Sequence, residues 1–142
     1  MESLYDAGRI RMLGASNLNL KQLKSLIQGA RIRPQMLQNR CYAARGWDSH
    51  IRKYCASANV TYQGFSLLTA NRDALLHPDL LSIAHRRNRS PSEIIFRFAR
   101  DIGMIALTGT SNANHMSLDL KIDDFQLDID EVTQIEGLMA KQ

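Results

Sequence analysis

The sequence predicts an α/β fold whose strands run parallel. Three observations carry this prediction. Short apolar runs alternate with amphipathic stretches of helical period along the whole chain. The first three apolar runs begin near residues 10, 35 and 60, at intervals of about 25 residues, close to a minimal βα unit. Two helix starts are spelled out as capping boxes, Ser90 with Glu93 and Asp128 with Glu131.

The elements follow in order. Met1 to Ala7 reads as the end of a helix, closed by Gly8, a residue that tolerates left-handed backbone. Ile10 to Ala15 reads as the first strand, and Ser16-Asn17 as the loop after it. Leu20, Leu23, Leu26 and Ile27 share one helical face, and Gly29 stops that helix. Pro34 precedes a second strand, Met36 to Asn39. A helix over Asp48 to Ala58 places Ile51, Tyr54 and Cys55 on one side. Val60 to Phe65 is the third strand, and Ser66 to His77 is irregular. Pro78 suits a first helical turn, which Leu80, Leu81, Ile83 and Ala84 continue. Pro91 opens the helix after Ser90, with Ile94, Ile95 and Phe98 on its buried face. Met104 to Leu107 is the fourth strand, and Thr108 to Asn114 a polar loop. A last amphipathic helix runs from Asp128 through Ile135 and Leu138.

Composition narrows the function classes. The chain has 142 residues, 44% apolar and 23% charged, so it folds rather than staying disordered. No apolar run approaches the ~18 residues of a membrane span. The start, Met1 to Asp6, has no charged segment followed by an apolar one, so no secretory signal is read there. The net charge of +4 is scattered, and its densest run, Arg86-Arg87-Asn88-Arg89, reads as a solvated helix end rather than a nucleic-acid surface. Cys41 and Cys55 make no disulfide framework, and with His50 they match no zinc spacing. The triplets at Asn59 and Asn88 match the glycosylation pattern by chance in a chain read as cytoplasmic.

Polar residues follow each strand: Ser16-Asn17, Gln38-Asn39, Ser66, and Thr108 to Asn112. In parallel α/β folds ligands bind at the carboxyl ends of strands. Uncharged amides and hydroxyls suit an amide or a ribose, and Gly109 lets the backbone approach a phosphate. The plainer alternative is that these residues satisfy loops and cap helices.

The strand-end segments resemble those of the aldo-keto reductases. Arg9 to Asn17 (RIRMLGASN) resembles that family's fifth strand, which ends in Ser-Asn. Pro34 to Gln38 (PQMLQ) resembles its sixth, and Val60 to Leu68 (VTYQGFSLL) its seventh. Ser90 to Arg97 (SPSEIIFR) resembles the helix before its eighth strand, and Leu107 to Ser111 (LTGTS) the phosphate loop after it. The resemblance covers essentially the whole chain, in the family's order. It implies half of a TIM-type β/α barrel, with about four parallel strands and flanking helices, over residues 1–142. It also implies roles. Ser16, Asn17 and Gln38 match residues that hydrogen-bond a nicotinamide carboxamide, and Phe65 matches the aromatic that stacks on its ring. Ser66, Leu67 and Leu68 begin the loop across the pyrophosphate. Gly109, Thr110 and Ser111 match the loop at the adenosine phosphates.

Three positions depart from the family pattern. His115 stands where an Arg often grips the 2′-phosphate, Asp119 where an Asn often meets adenine, and Gly109 where many members have Lys. NADP is the expected cofactor, with NAD as the alternative. The family's catalytic Tyr, Asp, Lys and His come from its first four strands, which have no counterpart here, and Met1 falls inside one of the family's helices. The chain is therefore expected to be a truncated, cofactor-binding half of an oxidoreductase that moves a hydride between nicotinamide and an aldehyde or ketone, inactive alone. The alternative is a pseudoenzyme, a non-catalytic nucleotide-binding or interaction module. Open sheet edges predict self-association.

Overall fold

The computed structural model describes residues 1–139. A four-stranded sheet runs in the order β1 (Gly14–Ser16), β2 (Met36–Arg40), β3 (Thr61–Phe65), β4 (Ile105–Ala106). Every pairing is parallel. Helix α1 (Glu2–Asp6) precedes β1, α2 (Leu20–Gly29) joins β1 to β2, and α3 (Ser49–Ser57) joins β2 to β3. Between β3 and β4 lie α4 (Arg72–Leu75), α5 (Pro78–Arg87) and α6 (Pro91–Asp101), and after β4 come α7 (Ala113–Asp119) and α8 (Ile129–Gly137). The α/β class and the half-barrel layout stand as the sequence predicts.

The side chains alternate across the sheet, as the two-residue period of a strand requires. Leu37, Asn39, Tyr62 and Gly64 are buried and face the helices. The opposite face carries three registered rows: Gly14, Met36 and Thr61; then Ser16, Gln38, Gln63 and Ile105; then Arg40 and Phe65. The main core fills the helix side, where Leu37, Leu80, Ile94, Ile95 and Phe98 are fully buried. Trp47 packs edge-on against Phe98, ring centroids 5.2 Å apart, and its indole N–H donates to the Ile135 carbonyl at 2.9 Å. A buried indole without that acceptor would be costly.

The cap chemistry was legible. Ser90 and Asp128 accept from the backbone N–H of Glu93 and Glu131, whose carboxylates return the bond. A third box, Asn19 with Gln22, opens α2 and was not anticipated. The first strand is a correction: it spans Gly14–Ser16, not Ile10 to Ala15. Ile10, Arg11 and Met12 have no ladder partner, and Leu13 donates its N–H to the Gln35 side chain at 2.7 Å. The last strand is likewise cut to Ile105–Ala106. The stretch read as irregular holds α4, and the polar loop after β4 runs into α7, which was not expected. Both helices are short, so periodicity had little to count. Among the described residues the outer edges of β1 and β4 carry no strand partner.

Candidate functional site at the carboxyl ends of the strands

Of the residues assigned to the site from the sequence, Gln38 lies at the middle of β2, which runs on to Arg40, and the others lie at or just beyond the carboxyl end of a strand or in the elements that follow β4. Ser16 ends β1 and sits in register with Gln38 of β2. Asn17 turns out of the sheet with φ +56°, a left-handed conformation that Asn accepts better than most residues, while its N–H still reaches the Gln38 carbonyl at 3.0 Å. The Gln38 amide is half-buried on the open face. Its Nε2 donates to Oε1 of Gln63 at 3.2 Å, and Gln63 Nε2 lies 3.9 Å from the Met36 sulfur. Phe65 closes β3 beside Arg40 and presents a half-buried ring on the same face.

Two buried amides hold the loops that carry these groups. Asn39 clasps Leu18, just after Asn17. Asn71 donates to the carbonyls of Cys41 and Leu67, both at 2.9 Å, and accepts from the Ala43 N–H at 2.7 Å. It ties the loop after β2 to the loop after β3. The sequence reading assigned neither amide this role. Asn39 had a signal, a polar residue two positions from Leu37 on the helix-facing side. Asn71 had none, because its partners are set by tertiary contact.

Ser66 follows Phe65 with φ +57° and swings the chain away from the sheet. Ser66, Leu68, Thr108 and Gly109 line a cleft of about 230 Å³. A second cleft of about 320 Å³ shares Leu68, Thr108 and Gly109 and extends to Thr110, His115 and Asp119. A Cβ built on Gly109 would meet nothing within 4 Å. The chain's own packing leaves that space clear. Ser111 is exposed beside it, and the Thr110 hydroxyl accepts the Asn112 N–H at 3.1 Å. Asp119, in the cleft's far wall, accepts the Thr108 hydroxyl at 2.8 Å. Glu93, also in that wall, is pushed up by burial, but the Ser90 N–H and hydroxyl together with Arg89 overcome this and hold its carboxyl below the usual carboxylate range.

A third cleft, of about 560 Å³, opens beside Asn17 and was not foreseen. Arg45 and Arg40 cover the Tyr42 ring in its wall, their guanidinium carbons 4.8 and 5.7 Å from the ring centre. At its floor Asp48 accepts from the Tyr62 hydroxyl at 2.7 Å and from Asn39 Nδ2 at 3.2 Å. Burial, with help from Asp48, pushes the Cys41 thiol up to about 12 and the Cys55 thiol up to about 11, so both stay protonated and unreactive. Among the described residues no cluster of His, Cys, Asp and Glu could hold a metal, and no helix is long and apolar enough to cross a membrane.

The sequence model of the aldo/keto reductase family matches residues 1–140. An uncharacterized oxidoreductase of Bacillus subtilis, YtbE, is 28% identical over 97% of this chain and 49% of its own length. Aldo-keto reductase family 1 member C15 of Rattus norvegicus is 25% identical over 97% of this chain and 46% of its own. The chain thus spans about half the length of these curated relatives. Among solved structures, the aldo-keto reductase MGS-M4 from a deep-sea metagenome superposes with a TM-score of 0.90 at 21% identity, over 99% of this chain and 53% of that one. Apo Gox0644 superposes with a TM-score of 0.88 at 20% identity, over 99% of this chain and 51% of that one. At these identities the superpositions show the fold.

Proposed function

The chain belongs to the aldo/keto reductase family, and from that premise we propose that it is the cofactor-holding half of a nicotinamide-dependent oxidoreductase acting on an aldehyde or ketone. The observation that carries this reading is the line of groups along one end of the sheet. Ser16 and Gln38 share one row of the open face, Asn17 follows Ser16, Phe65 lies one row further along β3 opposite Arg40, and the clefts around Gly109 continue from Ser66. The residues present fit such a group. An amide is matched by amides, a planar ring by a half-buried phenyl face, and a diphosphate by an uncrowded glycine backbone with flanking hydroxyls.

A bound dinucleotide would supply the hydride. This chain's residues would hold and orient it. Ser16, Asn17 and Gln38 would bond the carboxamide, and Phe65 would bear the ring. Ser66 and Leu68 would lie along the pyrophosphate, with Gly109, Thr110 and Ser111 at the adenosine end. We take NADP as the cofactor, with His115 at the 2′-phosphate and NAD as the competitor. A general acid is not supplied by the buried tyrosine, because the Tyr62 hydroxyl is bound to Asp48 and its pKa is driven up by burial. We therefore propose that residues 1–142 alone turn over no carbonyl substrate, and that the unpartnered edges of β1 and β4 drive self-association. The two protonated thiols fit a reducing, cytoplasmic setting.

The test is a calorimetric titration of the chain with NADP and NAD, followed by an aldehyde-reduction assay. Saturable binding without turnover is the expected result. Absence of binding would remove the cofactor role, and turnover would remove the claim of inactivity. The second reading is a pseudoenzyme that binds nucleotide or pairs with a relative. It is favoured by Tyr62 being committed to Asp48, and is told apart if adding a separately made chain carrying a family N-terminal half fails to restore turnover.

A further inference from the structure

We propose that Gln63 and Met36 are positioning residues that fix which way round the Gln38 amide stands, so that its carbonyl oxygen faces the cofactor carboxamide. The proposal rests on the reading of Ser16, Asn17 and Gln38 given above.

A glutamine amide is nearly symmetric in shape and opposite in chemistry at its two ends, an acceptor at Oε1 and a donor at Nε2. Held only by its stem it can present either end. Two neighbouring side chains on the open face remove that choice. Met36 and Gln38 are two apart on β2 and so point the same way, and Gln63 of β3 is in register with Gln38. The run of hydrogen bonds starts at Met36, whose thioether can accept a hydrogen bond but cannot donate one. Gln63 turns Nε2 toward that sulfur, at 3.9 Å. Its Oε1 is thereby directed at Gln38 and receives the Gln38 Nε2 at 3.2 Å. The Gln38 Oε1 is left as an acceptor, and no donor from the described residues occupies it. The reverse order would set Gln63 Oε1 against the sulfur, acceptor against acceptor, and would turn the Gln38 N–H outward. A carboxamide in the site would then find a donor where its own NH₂ needs an acceptor.

The sequence offers a reason to expect a role at this position. The inward rows of a β/α barrel are dominated by branched apolar residues, yet Gln63 puts an amide in the middle of β3. Its hydrogen bonds point along the sheet rather than into the helix core, so it contributes to the open face and not to packing behind it.

The experiment uses the full 142-residue chain and two probes, NADP and its 3-acetylpyridine analogue, in which a methyl group replaces the carboxamide NH₂. One neutral hydrogen bond separates them, so the wild-type chain is expected to prefer NADP by about three- to tenfold. Gln63→Leu removes the acceptor for Gln38 Nε2 and should bring the ratio to about one. Gln63→Glu still accepts from Gln38 Nε2 and should keep the preference. Adenosine 2′,5′-bisphosphate, which lacks the nicotinamide, should bind all variants alike and so reports folding. If Gln63→Leu fails that control, Met36→Leu carries the test, being close to volume-conserving. A lowered preference in it supports the proposal, and an unchanged one overturns it. If Gln63→Leu folds and keeps the wild-type preference, the positioning role falls while the carboxamide reading stands. If the wild-type chain binds NADP and the analogue equally, the carboxamide reading falls and takes the positioning role with it.

Discussion

Asn39 grips Leu18 at both of its backbone atoms: the Asn39 Oδ1 accepts the Leu18 N–H at 3.1 Å, and its Nδ2 donates to the Leu18 carbonyl at 2.9 Å. A buried side chain of β2 thus acts as a short extension of the sheet ladder, holding the loop that begins at Asn17. Asn39→Ala leaves both backbone groups unpaired, at a cost of about 1–3 kcal/mol. Urea unfolding should show that loss. The NADP titration should weaken with it, because Asn17 is no longer held. Asn39→Asp should be little better, since a carboxylate accepts from Leu18 but donates nothing back.

Phe65 tests the stacking role directly. Phe65→Tyr keeps the ring face and should bind NADP within about twofold of the parent. Phe65→Ala should weaken NADP by about tenfold, which corresponds to the ~0.5–1.5 kcal/mol of an aromatic pair plus lost ring burial. Binding of adenosine 2′,5′-bisphosphate should not change. An equal loss for both ligands would mean that the fold, not the ring, had been damaged.

On the proposed reading, the cleft shared by His115 and Asp119 sets the preference between NADP and NAD. His115→Arg adds a permanent planar cation suited to a phosphate, and should raise the NADP-to-NAD affinity ratio by about five- to tenfold. Adding Asp119→Asn removes a like charge from the same wall and should raise it further, while the amide oxygen at 119 can still accept from the Thr108 hydroxyl. Parallel titrations with the two dinucleotides measure both changes. An unchanged ratio would show that the 2′-phosphate does not lie there.

Stability should fall in acid as paired carboxylates are protonated. Burial pushes the Glu131 carboxyl up, but the bonds from Arg87 and the Asp128 N–H outweigh it, so its pKa stands below the usual carboxylate value. Arg87 Nη2 lies 2.7 Å from Glu131 Oε2. Depressed in the folded chain, the group contributes its full stabilisation above the unfolded value near 4.5, and loses it as pH falls through the folded value. Glu93 behaves alike. Glu131→Gln should cost about 1–3 kcal/mol at neutral pH and flatten part of the acid slope, measured by urea midpoints from pH 7 down to pH 2.5.

Strand order, strand count and two helix starts were readable because each rests on local chemistry. A Ser–x–x–Glu pair satisfies its own helix end wherever that helix goes. The Asn19–Gln22 box is just as local and was overlooked because the apolar face beginning at Leu20 drew the boundary. The trimmed ends of β1 and β4 were not readable. A strand ends where its neighbour stops pairing, and for β1 that is decided by β2, some twenty residues away.

The same division holds for the site. By itself the sequence determined which polar residues stand at the strand ends and in what order, since those depend only on the alternation of strand and helix. The tertiary structure alone decided how they face one another. Gln38 was a candidate from its position; Gln63 was only a residue inside a strand. Their amides meet because β2 and β3 pair in one register out of several, and a slip of one residue would turn Gln63 to the helix side. Register comes from packing both faces of the sheet at once, and no stretch of either strand contains it.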